Sequence, residues 1–215
     1  MNFNSTTNSS YFNQLPINTG VDGMYYCYLE ILQKLYNLMQ YMTYRHSKTL
    51  FIRFDVRFPE HYATDGGNSE ISHLFKDLRE KAQYDSIELV FLWVREQSWE
   101  KHQHYHCIVM IDGSKVQYYQ RFIFQVIKAW SRVLRCDASG LIFWCNQDYQ
   151  GMPVENGIMI ARPRRNAQGV ELESQQSQFQ TNLNRCFEWG SYLAKTNQKD
   201  NTPPGVRRYG ASQIR

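Results

Sequence analysis

The sequence predicts an α+β fold built on one antiparallel sheet with the split βαβ order of strands. Segments in which apolar and polar residues alternate predict strands, and segments with three-four spacing of apolar residues predict helices. After a leading helix, these segments follow in the order strand, helix, strand, strand, helix, strand. This order belongs to the split βαβ unit, in which the first and third strands lie side by side in the middle of the sheet.

The first half of the chain supplies the leading helix, one strand and a second helix. Residues 24–42 carry apolar side chains at helical spacing and predict the leading helix. Residues 48–59 alternate and predict a strand with one apolar face and one polar face, which carries Arg53, Asp55 and Arg57. The loop TDGGNS follows, and its asparagine or serine can cap the second helix. The expected core face of that helix is Ile71, Leu74, Phe75, Leu78 and Ala82.

The second half begins with two β-rich segments, SIELVFLWVRE and HQHYHCIVMIDG, which predict a hairpin. A long amphipathic helix over residues 114–134 and a short buried strand, LIFWC, then complete the unit. The same arrangement occurs in ferredoxin-like and RRM-like domains. The remaining predicted elements are a fifth strand over residues 158–161 and a C-terminal helix over residues 176–196.

The chain has 215 residues, and we expect residues 21–200 to form a single domain. We expect a flexible N-terminal tail over residues 1–20 and a basic C-terminal tail over residues 201–215. The formal net charge of +4 permits a nucleic-acid partner without requiring one. No G-x-x-x-x-G-K-[ST] motif occurs, so we expect no fused ATPase.

The composition favours a soluble protein of a reducing compartment. The five cysteines include no C-x-x-C pair, which disfavours both a disulfide framework and a zinc knuckle. The N-terminal residues have no charged segment followed by an apolar one, so we expect no secretory signal. Apolar runs such as LVFLWV are far shorter than the ~20 residues of a membrane helix. The sequence therefore predicts a cytoplasmic protein with no membrane partner.

Alternating histidines mark the third predicted strand. His102, His104 and His106 leave the same face, because side chains in a strand have a period of two. A solvated strand face would explain this pattern without a further function. However, Glu96 ends the preceding strand, and its carboxylate emerges on the same face if it lies opposite His104 in the hairpin. That register is an assumption, since a shift by one residue would separate these groups.

Two imidazoles and one carboxylate would leave coordination positions open, as a catalytic divalent cation requires. Mg²⁺ or Mn²⁺ held in this way could polarise a phosphodiester oxygen. Imidazole is a softer ligand than Mg²⁺ prefers, so Mn²⁺ should bind more tightly. A zinc site that includes Cys107 is the weaker alternative, because adjacent strand residues point to opposite faces.

The C-terminal helix carries Tyr192 and Lys195 on the side opposite its apolar stripe. An exposed tyrosine beside an exposed lysine is the plain interpretation of this pair. The functional interpretation is a nucleophile. A phenol with an ordinary pKa of ~10 attacks phosphorus poorly, but a nearby ammonium and a metal-polarised phosphate would help it. The product would be a phosphotyrosine that permits strand joining without ATP.

Three sequence features together resemble a known family. They are the histidine-hydrophobe-histidine stretch His104-Tyr105-His106, Glu96 eight positions before it, and the Tyr-x-x-Lys pair Tyr192 and Lys195. From about residue 49 to residue 199 the chain resembles the HUH endonucleases that initiate rolling-circle replication. It is similar to the single-tyrosine initiators of filamentous bacteriophages and prophages, a group that includes the YagK/YfjJ-type domain, with RFDVRFP in the place of the first motif.

The resemblance implies that His104, His106 and Glu96 bind the metal, that Tyr192 attacks DNA and that Lys195 assists at the phosphate. The implied activity is metal-dependent DNA nicking and joining through a 5′-phosphotyrosine, which initiates rolling-circle replication of a phage or prophage. The HUH motif would lie on a central strand. The implied partner is single-stranded or origin DNA in a bacterial host cell, where the replication helicase and polymerase could act with the protein.

The chain departs from the family pattern at three points. The residue between the two motif histidines is Tyr105, whose ring should face the opposite side of the sheet. No second tyrosine lies at helical spacing from Tyr192, so paired-tyrosine chemistry is not supported. His102 matches no motif position and is interpreted as a polar loop residue.

Basic side chains supply candidate DNA contacts, although solvated charge is the usual explanation of such residues. The candidates are Arg53, Arg57, Lys199, Arg207 and Arg208. Two other functions remain open. A non-catalytic, RRM-like nucleic-acid-binding module could use the same sheet, and a metal-dependent hydrolase could use water in place of Tyr192.

Overall fold

The computed structural model describes residues 5–97, 102–147, 152–197, 199 and 201–214. Over these ranges the protein has an α+β fold with four α-helices and antiparallel strand pairings. The N-terminal elements are β1 (Thr6–Thr7), β2 (Tyr11–Phe12), β3 (Leu15–Pro16), β4 (Cys27–Tyr28) and α1 (Leu29–Arg45). They are followed by β5 (Lys48–Val56), α2 (Ser69–Tyr84), β6 (Leu89–Glu96), β7 (His104–Asp112), α3 (Tyr119–Leu134), β8 (Ile142–Phe143), β9 (Ile158–Ala161), α4 (Gly169–Ser191) and β10 (Tyr209–Ala211).

The main sheet has the strand order β10-β6-β7-β5-β8, and β9 also pairs with β5. The first and third predicted strands, β5 and β7, are therefore neighbours in the interior of the sheet, as expected. β8 pairs with β5 at Asp55 and Val56, whereas β9 pairs with the other end of β5, from Lys48 to Phe51. Strand β9 confirms the predicted fifth strand.

Helices cover both faces of the sheet. Alternate residues of β7 enter two separate apolar clusters, because successive side chains of a strand point to opposite faces. Ile108 and Met110 pack with α1 and α4, whereas Cys107, Val109 and Ile111 pack with α2 and α3. The predicted core face of α2 is buried as expected. The polar face predicted for the first strand is also enclosed, since Arg53 and Asp55 are only 7% and 6% exposed.

Both predicted tails are instead part of the folded structure where it is described. On the N-terminal side, β1 pairs with β4, and Leu15 and Ile17 join the α1/α4 cluster. On the C-terminal side, β10 pairs with β6 and forms an edge of the sheet. Short segments without a periodic pattern were expected to be tails, but strand pairing and a few buried apolar side chains are enough to order them.

Two predicted helices have different bounds in the structure. Helix α1 begins at Leu29 instead of residue 24, because Cys27 and Tyr28 pair with β1. Helix α4 begins at Gly169 and ends at Ser191, before residue 196. In the described ranges, no helix combines the length and apolar character needed to cross a membrane.

We expect Gly210→Ala to destabilise the protein, because a Cβ at this position would overlap the ring of Trp93 on β6. Overpacking of this kind costs about 1–3 kcal/mol. Urea unfolding should show a lower free energy of unfolding for this variant. Gly140→Ala is the matched control, since a Cβ at Gly140 has no atom within 4 Å. An equal decrease in the free energy of unfolding in the two variants would mean that Gly210 on β10 is not closely packed against the Trp93 ring.

Candidate metal and tyrosine site

The register of the β6–β7 hairpin brings the predicted metal ligands together. Glu96 lies directly opposite His104, which is the assumed register. Glu96 Oε2 is 2.9 Å from His106 Nε2 and 3.4 Å from His104 Nε2. One donor atom from each of these three residues lies within 4.8 Å of the other two. The group could therefore hold a metal ion.

Asp55 fixes the other side of the His106 ring. It faces His106 across the β5–β7 pairing, and its Oδ1 is 2.6 Å from His106 Nδ1. A carboxylate on the second nitrogen of a ligating histidine sets the orientation of the ring and makes it a better ligand. Cys145 Sγ donates to the same Asp55 oxygen at 3.4 Å. The predicted strand order, which makes the first and third strands neighbours, could have identified His106 as the partner of Asp55.

Lys199 pairs with Glu96 instead of facing solvent. Its Nζ donates to Glu96 Oε1 at 2.6 Å, and the residue is 0% exposed. The prediction that Lys199 contacts DNA is therefore corrected, because its ammonium is enclosed. Glu96 uses one oxygen for Lys199 and presents the other to the two histidines.

Hydrogen bonds and nearby charges keep the carboxylates of this site ionised. Burial alone would raise the pKa of Glu96, but hydrogen bonds from His104 and His106 hold it well below its ordinary value. Burial also acts to raise the pKa of Asp55, and the charge of His106 lowers it overall. The pKa of His106 is raised, because the pairing with Asp55 outweighs the effect of burial. Anionic carboxylates are the form in which these groups bind cations.

Tyr192 lies beside the metal-binding group, immediately after α4. The helix ends at Ser191 and the chain continues as a 3₁₀ turn, Tyr192–Ala194. The predicted position inside a regular helix is therefore wrong by one turn. The Tyr192 ring is half-buried and lies 5.4 Å from the His106 ring, measured between centroids, with an angle of 85° between the planes.

Two cations contact the faces of the Tyr192 ring. Lys195 Nζ and Arg53 Cζ are 3.9 Å and 4.5 Å from its centroid. Arg53 Nη1 donates to the Trp189 carbonyl at 3.3 Å, whereas Arg53 Nε has no hydrogen-bond partner among the described residues. Burial raises the pKa of Tyr192, with a further contribution from Glu96, and burial lowers the pKa of Lys195. An anion beside the Tyr192 ring would therefore be close to the Lys195 ammonium and the Arg53 guanidinium.

A second tyrosine, Tyr25, reaches the site from the N-terminal segment. Its ring centroid is also 3.9 Å from Lys195 Nζ, so the ammonium lies against two aromatic rings. Tyr25 N–H donates to the Thr19 carbonyl at 2.8 Å and closes a small loop. Gly20 in this loop has a φ of +75°, and a Cβ there would overlap the Tyr25 ring. The sequence analysis placed Tyr25 in the leading helix, which begins only at Leu29. No local pattern could indicate the contact of Tyr25 with Lys195, because it joins distant segments.

The predicted DNA-contacting residues lie in different places. Arg53 contacts Tyr192, and the exposed Arg57 has its Cζ 5.8 Å from the Phe143 ring centroid. Arg207 is exposed on the α2 side of the sheet, where its carbonyl accepts a hydrogen bond from Asn68 at 2.9 Å. Arg208 lies with its Cζ 5.2 Å from the Tyr28 ring. Of the five predicted residues, Arg53 contacts Tyr192 and the enclosed Lys199 contacts Glu96, whereas the other three contact neither of these site residues in the described structure.

Three further residues of the histidine segment lie outside the metal-binding group. His102 Nε2 is 2.7 Å from the Glu60 carbonyl oxygen, in keeping with a polar loop residue. Tyr105 points to the α2/α3 side, as predicted, and its hydroxyl donates to Asn68 Oδ1 at 3.0 Å. Cys107 is on that side too, which counts against a zinc site that includes it. Most of the predicted connection QSWEK, residues 98–101, is outside the described residues.

The donor set of the three-residue group suits a divalent cation with open coordination positions. Two imidazole nitrogens and one carboxylate oxygen converge, and Asp55 supports one imidazole from behind. The ammonium of Lys199 limits Glu96 to one free oxygen. The arrangement therefore fits a cation that is held by three donors and completed by water or substrate oxygens.

We expect Lys199→Met to bind Mn²⁺ at least fivefold more tightly. Two unit charges about 5 Å apart repel by about 1–3 kcal/mol when the effective dielectric constant is ~20 to 80, and methionine removes the charge while keeping an apolar stem. Titration calorimetry with Mn²⁺ alone measures the change. Lys76→Met is the control, since Lys76 on α2 has a 66% exposed side chain. Weaker binding by Lys199→Met would instead mean that Lys199 holds Glu96 in its ligating position.

We expect Tyr25→Leu to make the Lys195 amine more reactive towards an acylating reagent, because leucine leaves part of the ammonium uncovered. Tyr25→Phe keeps the ring and should leave the labelling rate unchanged. Peptide mass spectrometry after timed labelling measures Lys195 directly, with exposed Lys81 as the internal reference. Equal labelling in both variants would show that the Tyr25 ring does not shield Lys195.

Comparison with known proteins gives one family match. The family model described as the YagK/YfjJ C-terminal domain matches residues 7–212. No curated protein and no solved structure is significantly similar to the chain. The matched range includes the N-terminal loop, the histidine strand, the Tyr192 turn and β10.

Proposed function

The chain belongs to the YagK/YfjJ C-terminal domain family, and we propose that it is a metal-dependent, single-tyrosine endonuclease that nicks and joins DNA. The observation that carries this proposal is the position of the Tyr192 ring against His106, in a group whose Glu96, His104 and His106 donors converge. A binding module has no need for this convergence. We further propose that the reaction initiates rolling-circle replication of a phage or prophage in the cytoplasm of its bacterial host.

The strand order supports a split βαβ unit of the HUH type. Strands β8, β5, β7 and β6 are adjacent in that order, and α2 and α3 pack together on one face. The histidine strand β7 is interior, and the other face is covered by α1 and α4. In this arrangement the ends of β6 and β7 present the metal donors, while the turn after α4 presents the tyrosine.

We assign the metal-binding role to Glu96, His104 and His106. A bound Mn²⁺ or Mg²⁺ would polarise a non-bridging oxygen of the scissile phosphate. The nitrogen donors favour Mn²⁺ in affinity, and Mg²⁺ is the harder ion. Asp55 holds the His106 ring in its ligating orientation through the hydrogen bond to Nδ1.

Tyr192 is the nucleophile in this proposal. Its phenol oxygen forms a bond to phosphorus, and the bond from phosphorus to the 3′-oxygen of the preceding nucleotide breaks. The phenol loses its proton and the 3′-oxygen gains one, so the step is a balanced transesterification that leaves a 5′-phosphotyrosine and a 3′-hydroxyl. The reverse step joins the strand without ATP.

The cations around Tyr192 have a defined part in this step. Lys195 and Arg53 contact the ring from positions 3.9 Å and 4.5 Å from its centroid, where they can bind the phosphate as it approaches. The charge of Arg53 also acts against the rise in the pKa of the Tyr192 phenol, since positive charge favours the phenolate. The implied substrate is single-stranded or origin DNA, and the host replication helicase and polymerase could follow the nick.

The test is the formation of a covalent protein–DNA adduct. Single-stranded origin-like oligonucleotides, labelled at the 3′ end, are incubated with the protein and Mn²⁺ and separated under denaturing conditions. We expect labelled adduct with the unsubstituted protein, at least a hundredfold less with Tyr192→Phe, and none in excess chelator. Glu96→Gln should also reduce the rate strongly, because it removes a metal-binding charge.

Tyr118→Phe is the matched control, since Tyr118 is 73% exposed just before α3. An adduct that persists in Tyr192→Phe would overturn the nucleophile assignment. Cleavage without any adduct would favour the hydrolase. DNA binding without cleavage on a library of origin-like sequences would favour the non-catalytic module.

A further inference from the structure

An aromatic residue at the edge of the sheet, Phe143, lies in the same row as His106. The register pairs His106 with Asp55 across β7 and β5, and Asp55 with Phe143 across β5 and β8. Directly opposed residues of an antiparallel pair project to the same face. Phe143 therefore emerges on the face of the metal-binding group, two strand spacings from His106, or about 10 Å.

The Phe143 ring is not part of the apolar core. Ile142, its neighbour on β8, is 4% exposed and packs with α2 and α3, whereas Phe143 is 45% exposed. The guanidinium of Arg57 is its cationic neighbour, with Cζ 5.8 Å from the ring centroid. An accessible ring beside an arginine is the combination that proteins use to stack an unpaired base and hold the adjoining phosphate.

The charge on this face favours a polyanion. Arg53 and Lys195 flank Tyr192, and Arg57, the residue that follows β5, places a further positive charge beside Phe143. Single exposed aromatic residues are common on protein surfaces and need no function. Phe143 differs from them in its position, because it shares a row with Asp55 and His106 at the proposed active site.

We propose that Phe143 and Arg57 form a subsite that stacks one unpaired nucleobase of single-stranded DNA beside the scissile phosphate. The inference rests on the proposed function and adds to it a determinant for unpaired substrate. A base that stays paired in a duplex has its faces covered by its neighbours and cannot lie on the Phe143 ring. The subsite therefore selects DNA that is already unpaired, or stabilises it once it is melted.

Binding of fluorescent oligonucleotides tests this subsite without requiring cleavage. The parent is the full chain with Tyr192→Phe, in chelator, and the ligands are a mixed-sequence single strand, oligothymidine and a duplex of the same length. Phe143→Ala should weaken single-strand binding about 5- to 150-fold, the range of one base–aromatic stack. Phe143→Trp should retain binding, and its fluorescence should be quenched by DNA. Duplex binding should change little.

A second exposed ring provides the matched control. Tyr84, the last residue of α2, is 85% exposed, and Lys81 Nζ is 5.3 Å from its ring centroid. Tyr84 lies before the first residue of β6, whereas Glu96 is the last residue of that strand. Tyr84 is therefore at the end of β6 that does not carry the metal-binding group. Tyr84→Ala should leave binding unchanged. Arg57→Gln should lower the slope of log affinity against log salt by about 0.7, the value for one phosphate contact on a single strand, while Phe143→Ala should not change it.

The outcomes separate this proposal from the proposed nicking activity. If the Phe143→Ala variant binds single strands as tightly as the parent, the proposed subsite is wrong, even if the unsubstituted protein still forms its adduct. Phe143→Trp that binds as weakly as Phe143→Ala also overturns it, because stacking needs only a ring. If no adduct forms but binding depends on Phe143, nicking fails and the subsite stands. A parent that binds no single strand at all overturns the subsite.

Discussion

The hydrogen bonds of His106 to two carboxylates are the interaction on which the candidate site depends. Asp55 on β5 and Glu96 on β6 bond to the two ring nitrogens of this one residue on β7. A shift of one residue in either pairing would turn a partner to the opposite face of the sheet. The two registers also set the position of His104 and, through Asp55, the row that includes Phe143. Removing one member of such a buried ionic group typically costs about 3–5 kcal/mol, since a charge is left uncompensated.

The face that carries this polar group is apolar along most of its length. On β7 the side chains change from His106 to Ile108 and Met110 within four residues, and the last two lie in the cluster covered by α1 and α4. Burial of such side chains contributes roughly 1.5–3 kcal/mol each. Burial of apolar side chains at one end of the face therefore offsets the free-energy cost of burying charged groups at the other end. It also positions α4, whose last residue immediately precedes Tyr192.

The parts of the structure that follow from local periodicity were predictable from the sequence. The central strands and the core face of α2 follow from alternation or helical spacing. The Glu96–His104 register was an assumption of the sequence analysis, and the structure has that register. The ordered chain ends, the enclosed Lys199 and the contact of Tyr25 with Lys195 were not predictable. Each joins residues far apart in the sequence, and no short-range pattern records such a contact. The 3₁₀ turn at Tyr192 was missed because the same residues also fit a continued helix.

Contacts between distant parts of the chain have a consequence for folding. Asn18 N–H donates to Ser191 Oγ across 173 positions, and Phe91 N–H donates to Ser212 Oγ across 121. Closing such long loops costs conformational entropy before any contact repays it, so proteins rich in these contacts fold slowly. During synthesis, Tyr25 and the histidine strand leave the ribosome well before the turn that carries Tyr192. The metal donors and the tyrosine can therefore meet only after the chain has been made at least as far as Tyr192.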